Sequence, residues 1–134
     1  METSLNPRAS AKIVIGVDDQ RENLILLESA LRAGGFHFFG ASSGAECLSL
    51  ATRIQPRLIL LDIQMPDMDG FETCRRLRAM GDMRQVPVAF LTGRRNAEDV
   101  KRCLEVGGND FIVKPFDVIK LLERVRHWTS RKVA

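Results

Sequence analysis

The stretch Leu58-Ile-Leu-Leu-Asp62-Ile-Gln-Met-Pro66-Asp-Met-Asp-Gly70 runs four apolar residues straight into a carboxylate and then into a loop punctuated by proline and glycine. A short apolar run bounded by turn signals reads as a buried β-strand. Asp62 therefore stands at the mouth of a sheet. Two further strand ends carry charge in the same way. Lys12 to Val17 leads into the paired acids Asp18 and Asp19, and Asp110 to Val113 leads into Lys114-Pro115. In an open parallel α/β sheet the crevice at the carboxyl ends of the strands is where ligands bind, so these groups are expected to converge there.

Three carboxylates brought together repel one another, and burying them without a counter-charge raises their pKa values or costs stability. Lys114 supplies one positive charge and leaves about two negative ones, which suits a divalent cation. An all-oxygen donor set favours Mg²⁺, with Mn²⁺ as the second choice. Carboxylate, metal and lysine together suit phosphoryl chemistry, in which an aspartate acts as nucleophile and cations neutralise the oxygens of the transferred group.

Length and composition narrow the field. At 134 residues the chain suits one domain with its own core. Hydrophobic residues at 45% and charged residues at 28% mark a globular rather than disordered chain. No apolar run approaches the roughly 20 residues of a membrane span. The first eleven residues, Met1 to Ala11, are polar and lack the apolar segment of a signal peptide, so they read as a disordered tail before a domain at 12–130, with 131–134 a short C-terminal tail. A cytoplasmic protein is expected. Cys47, Cys74 and Cys103 are odd in number and widely spaced inside helical patterns, which indicates buried thiols rather than disulfides or a metal knuckle. The net charge of +3 is spread over several helix faces, the Arg124, Arg126, Trp128, Arg131 and Lys132 end included. With no tyrosine and a single tryptophan to stack on bases, direct DNA binding is not expected.

Apolar runs and helical periods alternate along the chain. Strands are expected at 12–17, 37–41, 57–61, 87–91 and 110–113. Helices are expected at 21–33, 44–54, 70–79 and 97–106, and from after Asp117 to near Ser130. Gly34-Gly35 and Gly107-Gly108 stop two of them, Pro56 limits another, and Asn96 caps the fourth. Strict β/α alternation with right-handed crossovers predicts an α/β, doubly wound, five-stranded parallel sheet covered on both faces. The strand order 2-1-3-4-5 of the flavodoxin-like class is adopted by analogy.

These residues, in this order, resemble the receiver domain of response regulators in two-component signalling, the fold of the chemotaxis switch protein. The resemblance covers 12 to about 130 and rests on Asp18-Asp19, on Asp62 within LLDIQMPDMDG, on Thr92 after the fourth strand, on Phe111 and on Lys114-Pro115. It implies that Asp62 takes a phosphoryl group from a histidine kinase or histidine phosphotransfer protein. It implies Mg²⁺ on Asp18, Asp19, Asp62 and the backbone carbonyl of Gln64, with Asp18 acting mainly through water. Lys114 would pair with Asp62 and later with phosphate, across a cis bond to Pro115. Thr92 would hydrogen-bond the phosphoryl group beside an open Gly93. Phe111 would be the switch aromatic, acting by packing since it lacks a hydroxyl. The output face would be the fourth helix, fifth strand and fifth helix, docking a downstream protein or a second copy. Gln64 and Arg94 occupy positions that tune phosphoryl lifetime in this family.

Other readings have less support. A metal-dependent small phosphohydrolase is the alternative, since Asp67 and Asp69-Gly70 resemble part of a DxDG nucleophile motif. That nucleophile should leave a strand directly, whereas Asp67 lies five residues beyond one; Asp67 and Asp69 read as surface turn residues. A flavodoxin-like electron carrier is disfavoured because an acidic crevice repels a flavin phosphate. His37 and His127 have no paired partner and read as structural or exposed.

Overall fold

The computed structural model describes residues 12–93 and 96–130. The two tails and Arg94, for which a lifetime role was expected, lie outside the described residues. Among the described residues the elements alternate as β1 (Ile13–Val17), α1 (Arg21–Ala33), β2 (His37–Ala41), α2 (Gly44–Ile54), β3 (Leu58–Asp62), α3 (Gly70–Ala79), a 3-10 turn (Gly81–Met83), β4 (Val88–Thr92), α4 (Ala97–Glu105), β5 (Asp110–Val113) and α5 (Val118–Thr129). The sheet has the order β2-β1-β3-β4-β5, with every pair parallel, as expected.

Side chains on a strand alternate between the faces of a sheet, and this divides the core in two. Ile59 and Leu61 of β3 pack with Phe90, Cys47, Phe71, Cys74 and Cys103 on the face covered by α2, α3 and α4. Leu58 and Leu60 pack with Leu91, Ile112, Leu27, Leu31, Leu121 and Val125 on the face covered by α1 and α5. All three cysteines are buried free thiols, as expected from their spacing. Burial pushes the thiols of Cys47 and Cys103 up to about 12 and raises that of Cys74 as well.

Two strands end one residue later than the apolar runs suggest. Asp62 pairs with Leu91 and Thr92 with Val113, so the ladder continues through polar residues that a hydrophobic pattern excludes. The caps follow local chemistry. Asn96 accepts from the backbone N–H of Asp99 at 2.8 Å, and Gly35 and Gly107 take the left-handed φ of +91° and +96° that end α1 and α4. Asp69 corrects one expectation: it is not a bare surface turn residue but the N-cap of α3, accepting from the Glu72 amide at 2.8 Å. The buried Met83 in the 3-10 turn explains why the chain does not simply loop from α3 to β4.

Candidate functional site

The carboxyl ends of β1, β3, β4 and β5 lie side by side, and the residues that follow them form the site. Asp18 follows β1 and is almost wholly buried, whereas the neighbouring Asp19 is exposed. Asp62 and Thr92 are the last residues of β3 and β4, and both are buried. One oxygen from each of Asp18, Asp19 and Asp62 lies within 4.8 Å of the others. Lys114, next after β5, places Nζ 3.0 Å from Asp18 Oδ2 and 3.5 Å from Asp62 Oδ1. The pairing expected for Lys114 is thus shared, and Asp18 is the nearer partner.

Strand alternation accounts for this grouping. Leu60 and Ile112 belong to the core under α1 and α5, so Asp62 and Lys114, each two residues further on, leave the sheet on that same side. Thr92 follows Phe90 by two residues, and Phe111, half-buried, packs against the opposite core. The charged cluster therefore borders α1, while Thr92 and Phe111 belong to the α4 side. Thr92 also accepts, at its backbone carbonyl, the amide of Lys114 at 2.7 Å, which ties the β4 and β5 ends together. The Lys114-Pro115 bond is cis.

The electrostatics follow from burial. Desolvation raises the Asp62 carboxyl to about 6; Lys114 opposes this by charge and hydrogen bond, while Asp18 and Asp19 add to it. The cluster holds more negative charge than its single ammonium balances. Oxygen donors of this kind fit a hard divalent cation, and Asp19 is the member open to solvent through which one can enter. Gln64 is exposed two residues beyond Asp62.

The loop from Asp62 to α3 is shaped by close packing. A Cβ on Gly70 would come within 2.3 Å of the Asp62 carbonyl oxygen, and the Gly70 amide donates to Ile63 O at 2.8 Å. Asp67 has φ +68° inside a three-residue turn closed by Met68 N to Pro66 O at 2.8 Å. Gly70 was legible only as a turn glycine; its approach to the Asp62 backbone depends on the loop folding back. The helix α1 was expected, but not its part in bordering the site. The Gln20 amide donates to Asp18 Oδ1 at 2.9 Å. A cavity of about 310 Å³ opens beside Asp18 and Lys114, bounded by Asn23, Leu26, Leu27 and Phe116. Ile25 and Leu26 on this helix are 54% and 61% exposed, a signal visible in sequence only as a helix more apolar than one buried stripe requires.

Comparison with known proteins agrees with this geometry. The response regulator receiver domain family matches residues 14–126. Response regulator PleD of Caulobacter vibrioides is 40% identical over 124 residues, which are 92% of this chain and 27% of that protein. The transcriptional regulatory protein PrrA of Mycobacterium tuberculosis is 41% identical over 119 residues, 89% of this chain and 50% of that one. The chain thus spans half or less of the length of these relatives. Among solved structures, chemotaxis protein CheY4 of Vibrio cholerae superposes with a TM-score of 0.86 at 27% identity, covering 89% of this chain and 99% of that one. The receiver domain of a sensor histidine kinase from Pseudomonas aeruginosa, solved with a magnesium ion coordinated in its active site cleft, gives a TM-score of 0.84 at 29% identity over 91% of this chain and all of that one.

Proposed function

The chain belongs to the response regulator receiver domain family, and on that premise we propose that it is a phosphorylation-dependent switch whose phosphoacceptor is Asp62. The observation that carries this reading is the shared ammonium: Lys114 reaches both Asp18 and Asp62 at the mouth of the sheet. An Asp62 oxygen attacks the phosphorus of a phosphohistidine on a histidine kinase or phosphotransfer protein. The P–N bond breaks, its electron pair stays on the imidazole nitrogen, and an acyl phosphate remains on Asp62. Lys114 turns from Asp62 to the incoming oxygens while Asp18 keeps it at the site, and the Thr92 hydroxyl donates to one of them.

Mg²⁺, or Mn²⁺ in its place, would be held by Asp19, Asp62 and the Gln64 carbonyl, with Asp18 acting through water. When bound it supplies positive charge against the phosphoryl oxygens. The magnesium in the Pseudomonas aeruginosa receiver domain supports this. The exposed Ile25 and Leu26 beside the acidic cluster suit an apolar strip on the phosphodonor's helices.

Output runs through Thr92 and Phe111, which share the α4 side of the sheet, to a face made of α4, β5 and α5. Leu104 and Ile119, 66% and 69% exposed, offer that face to a downstream protein or a second copy. The protein acts as a switch in the cytoplasm, and its chemistry is limited to taking up and slowly losing one phosphoryl group. No described helix is long and apolar enough to cross a membrane. The relatives are response regulators and receiver domains, which gives a phosphohydrolase no support.

Incubation with acetyl phosphate and Mg²⁺ followed by mass spectrometry tests the reading. One hydroxylamine-sensitive phosphoryl adduct on Asp62 is expected, and none in Asp62→Asn. An adduct on another residue, or equal labelling of the variant, overturns it.

A further inference from the structure

Far from the charged cluster, at the opposite ends of β4 and β5, the guanidinium of Arg78 in α3 spends all five N–H groups on carbonyl oxygens. Nε and Nη2 donate to Gly107 O at 3.0 and 2.7 Å, Nη1 to Met83 O at 2.8 Å and to Val86 O at 2.7 Å, and Nη2 to Asn109 Oδ1 at 2.9 Å. Gly107 and Asn109 follow the last turn of α4, where the helix dipole presents partial negative charge to a cation. The fit is close: a Cβ on Gly107 would come within 3.0 Å of Arg78 Cγ and Nε. Asn109 extends the junction to β4, its side-chain oxygen accepting from Val88 N at 2.9 Å and its amide donating to Val88 O at 2.8 Å. The Cys74 thiol donates to Val106 O at 3.4 Å.

At the other end of α4 a cap closes the first turn. The Asn96 side chain accepts from Asp99 N at 2.8 Å and donates to the Asp99 carboxylate at 3.2 Å, both within the helix's own first turn. Midway, the Arg102 guanidinium lies 4.3 Å from the centre of the Phe71 ring, a contact that tolerates rotation better than a fork of hydrogen bonds does.

We propose that Arg78 makes the C-terminal end of α4 a fixed hinge, so that the helix swings about this end instead of sliding when the site at its other end changes. Sliding would break the three charge-assisted bonds to Gly107 and Asn109 together, whereas swinging alters packing along Phe71 and leaves the clamp whole. The inference rests on the switch reading for its trigger and on Arg78 alone for its geometry. It predicts that a partner tells the active form from the inactive one through the first two turns of α4, while Leu104 near its end is presented alike in both.

Backbone amide shifts of the full chain, recorded with Mg²⁺ and with or without beryllofluoride, test it in wild type, Arg78→Lys and Arg78→Met. In wild type the mean change over 97–103 should exceed that over 106–109 by at least about threefold, and the ratio should collapse towards one in Arg78→Met. Equal changes along the wild-type helix, or an unaltered ratio in the variant, overturn the hinge. Absence of a protein-bound fluorine signal means that the phosphoacceptor reading has failed, and the hinge is then decided by amide exchange without activation. Arg78→Lys keeps the charge and loses the fork, which also covers the case in which Arg78→Met does not fold. It should speed exchange at Val106, Gly107, Gly108 and Asn109 by about tenfold and leave Asp99 and Val100 unchanged. Uniform acceleration along α4, or none, overturns the hinge.

Discussion

Lys114 Nζ lies 3.0 Å from Asp18 Oδ2, and this bond holds the ammonium at the site before any phosphoryl group arrives. Asp18 is nearly inaccessible and also accepts from the Gln20 amide, so it is a fixed anchor. Asp62 receives the weaker share of the same charge at 3.5 Å. Asp62, the proposed phosphoacceptor, is thus less neutralised than its neighbour, which suits the proposed attack on phosphorus.

Lys114→Gln leaves the buried Asp18 carboxylate without its cation. Metal-free stability should fall by about 3 kcal/mol, the order found when one partner of a buried pair is removed. Mg²⁺ should restore more stability to this variant than to wild type, because the cluster is then more negative. Thermal melts with and without Mg²⁺ measure both, and an equal gain in the two proteins contradicts the charge arithmetic.

Burial raises Asp62 from 3.8 to about 6, and the sign of its pH effect follows. Between those values the folded protein holds a proton that the unfolded chain releases, so metal-free stability falls as pH rises from about 4 to about 6 and then levels. Asp62→Asn removes this slope and should be more stable than wild type above the window by roughly 2 kcal/mol. Asp110 does not blur the test. Its burial is outweighed by hydrogen bonds from Arg124 and Trp128 that hold it below the usual range, so its contribution is lost only at lower pH. Urea midpoints across the window would show a flat or rising profile in wild type if the assignment were wrong.

Asp19 is exposed, so Asp19→Ala should change metal-free stability by no more than about 0.5 kcal/mol. Mg²⁺ affinity should drop by roughly tenfold or more with the loss of one anionic donor. Calorimetric titration separates these effects. Unchanged affinity removes Asp19 from the metal set.

Gly70→Ala would push a methyl group to 2.3 Å from the Asp62 carbonyl oxygen, a backbone atom with no rotamer to yield. The variant should lose about 2 kcal/mol or more and, through displacement of the Asp62 backbone, should be phosphorylated several-fold more slowly. Gly81→Ala serves as the control, since nothing lies within 4 Å of a Cβ there. Equal behaviour of the two would show that the close approach has no consequence.

The sequence by itself determined where the strands end in charge, because an apolar run followed by Asp62, by Asp18-Asp19 or by Lys114 is a local pattern. It also determined the caps at Asn96 and Gly107, whose side-chain and backbone chemistry acts within one turn. Tertiary structure decided which of two acids holds Lys114 more closely, since that depends on the registers of β5 on β4, β4 on β3 and β3 on β1 and on the face to which each strand end turns. It decided that Asp69 caps α3, that Gly70 touches Asp62 and that Arg78 gathers α3, the 3-10 turn and the end of α4 into one junction. Carbonyl acceptors are present at every residue, so no side-chain pattern marks the ones a guanidinium will find. Only the packed backbone brings Met83, Val86 and Gly107 to a single point.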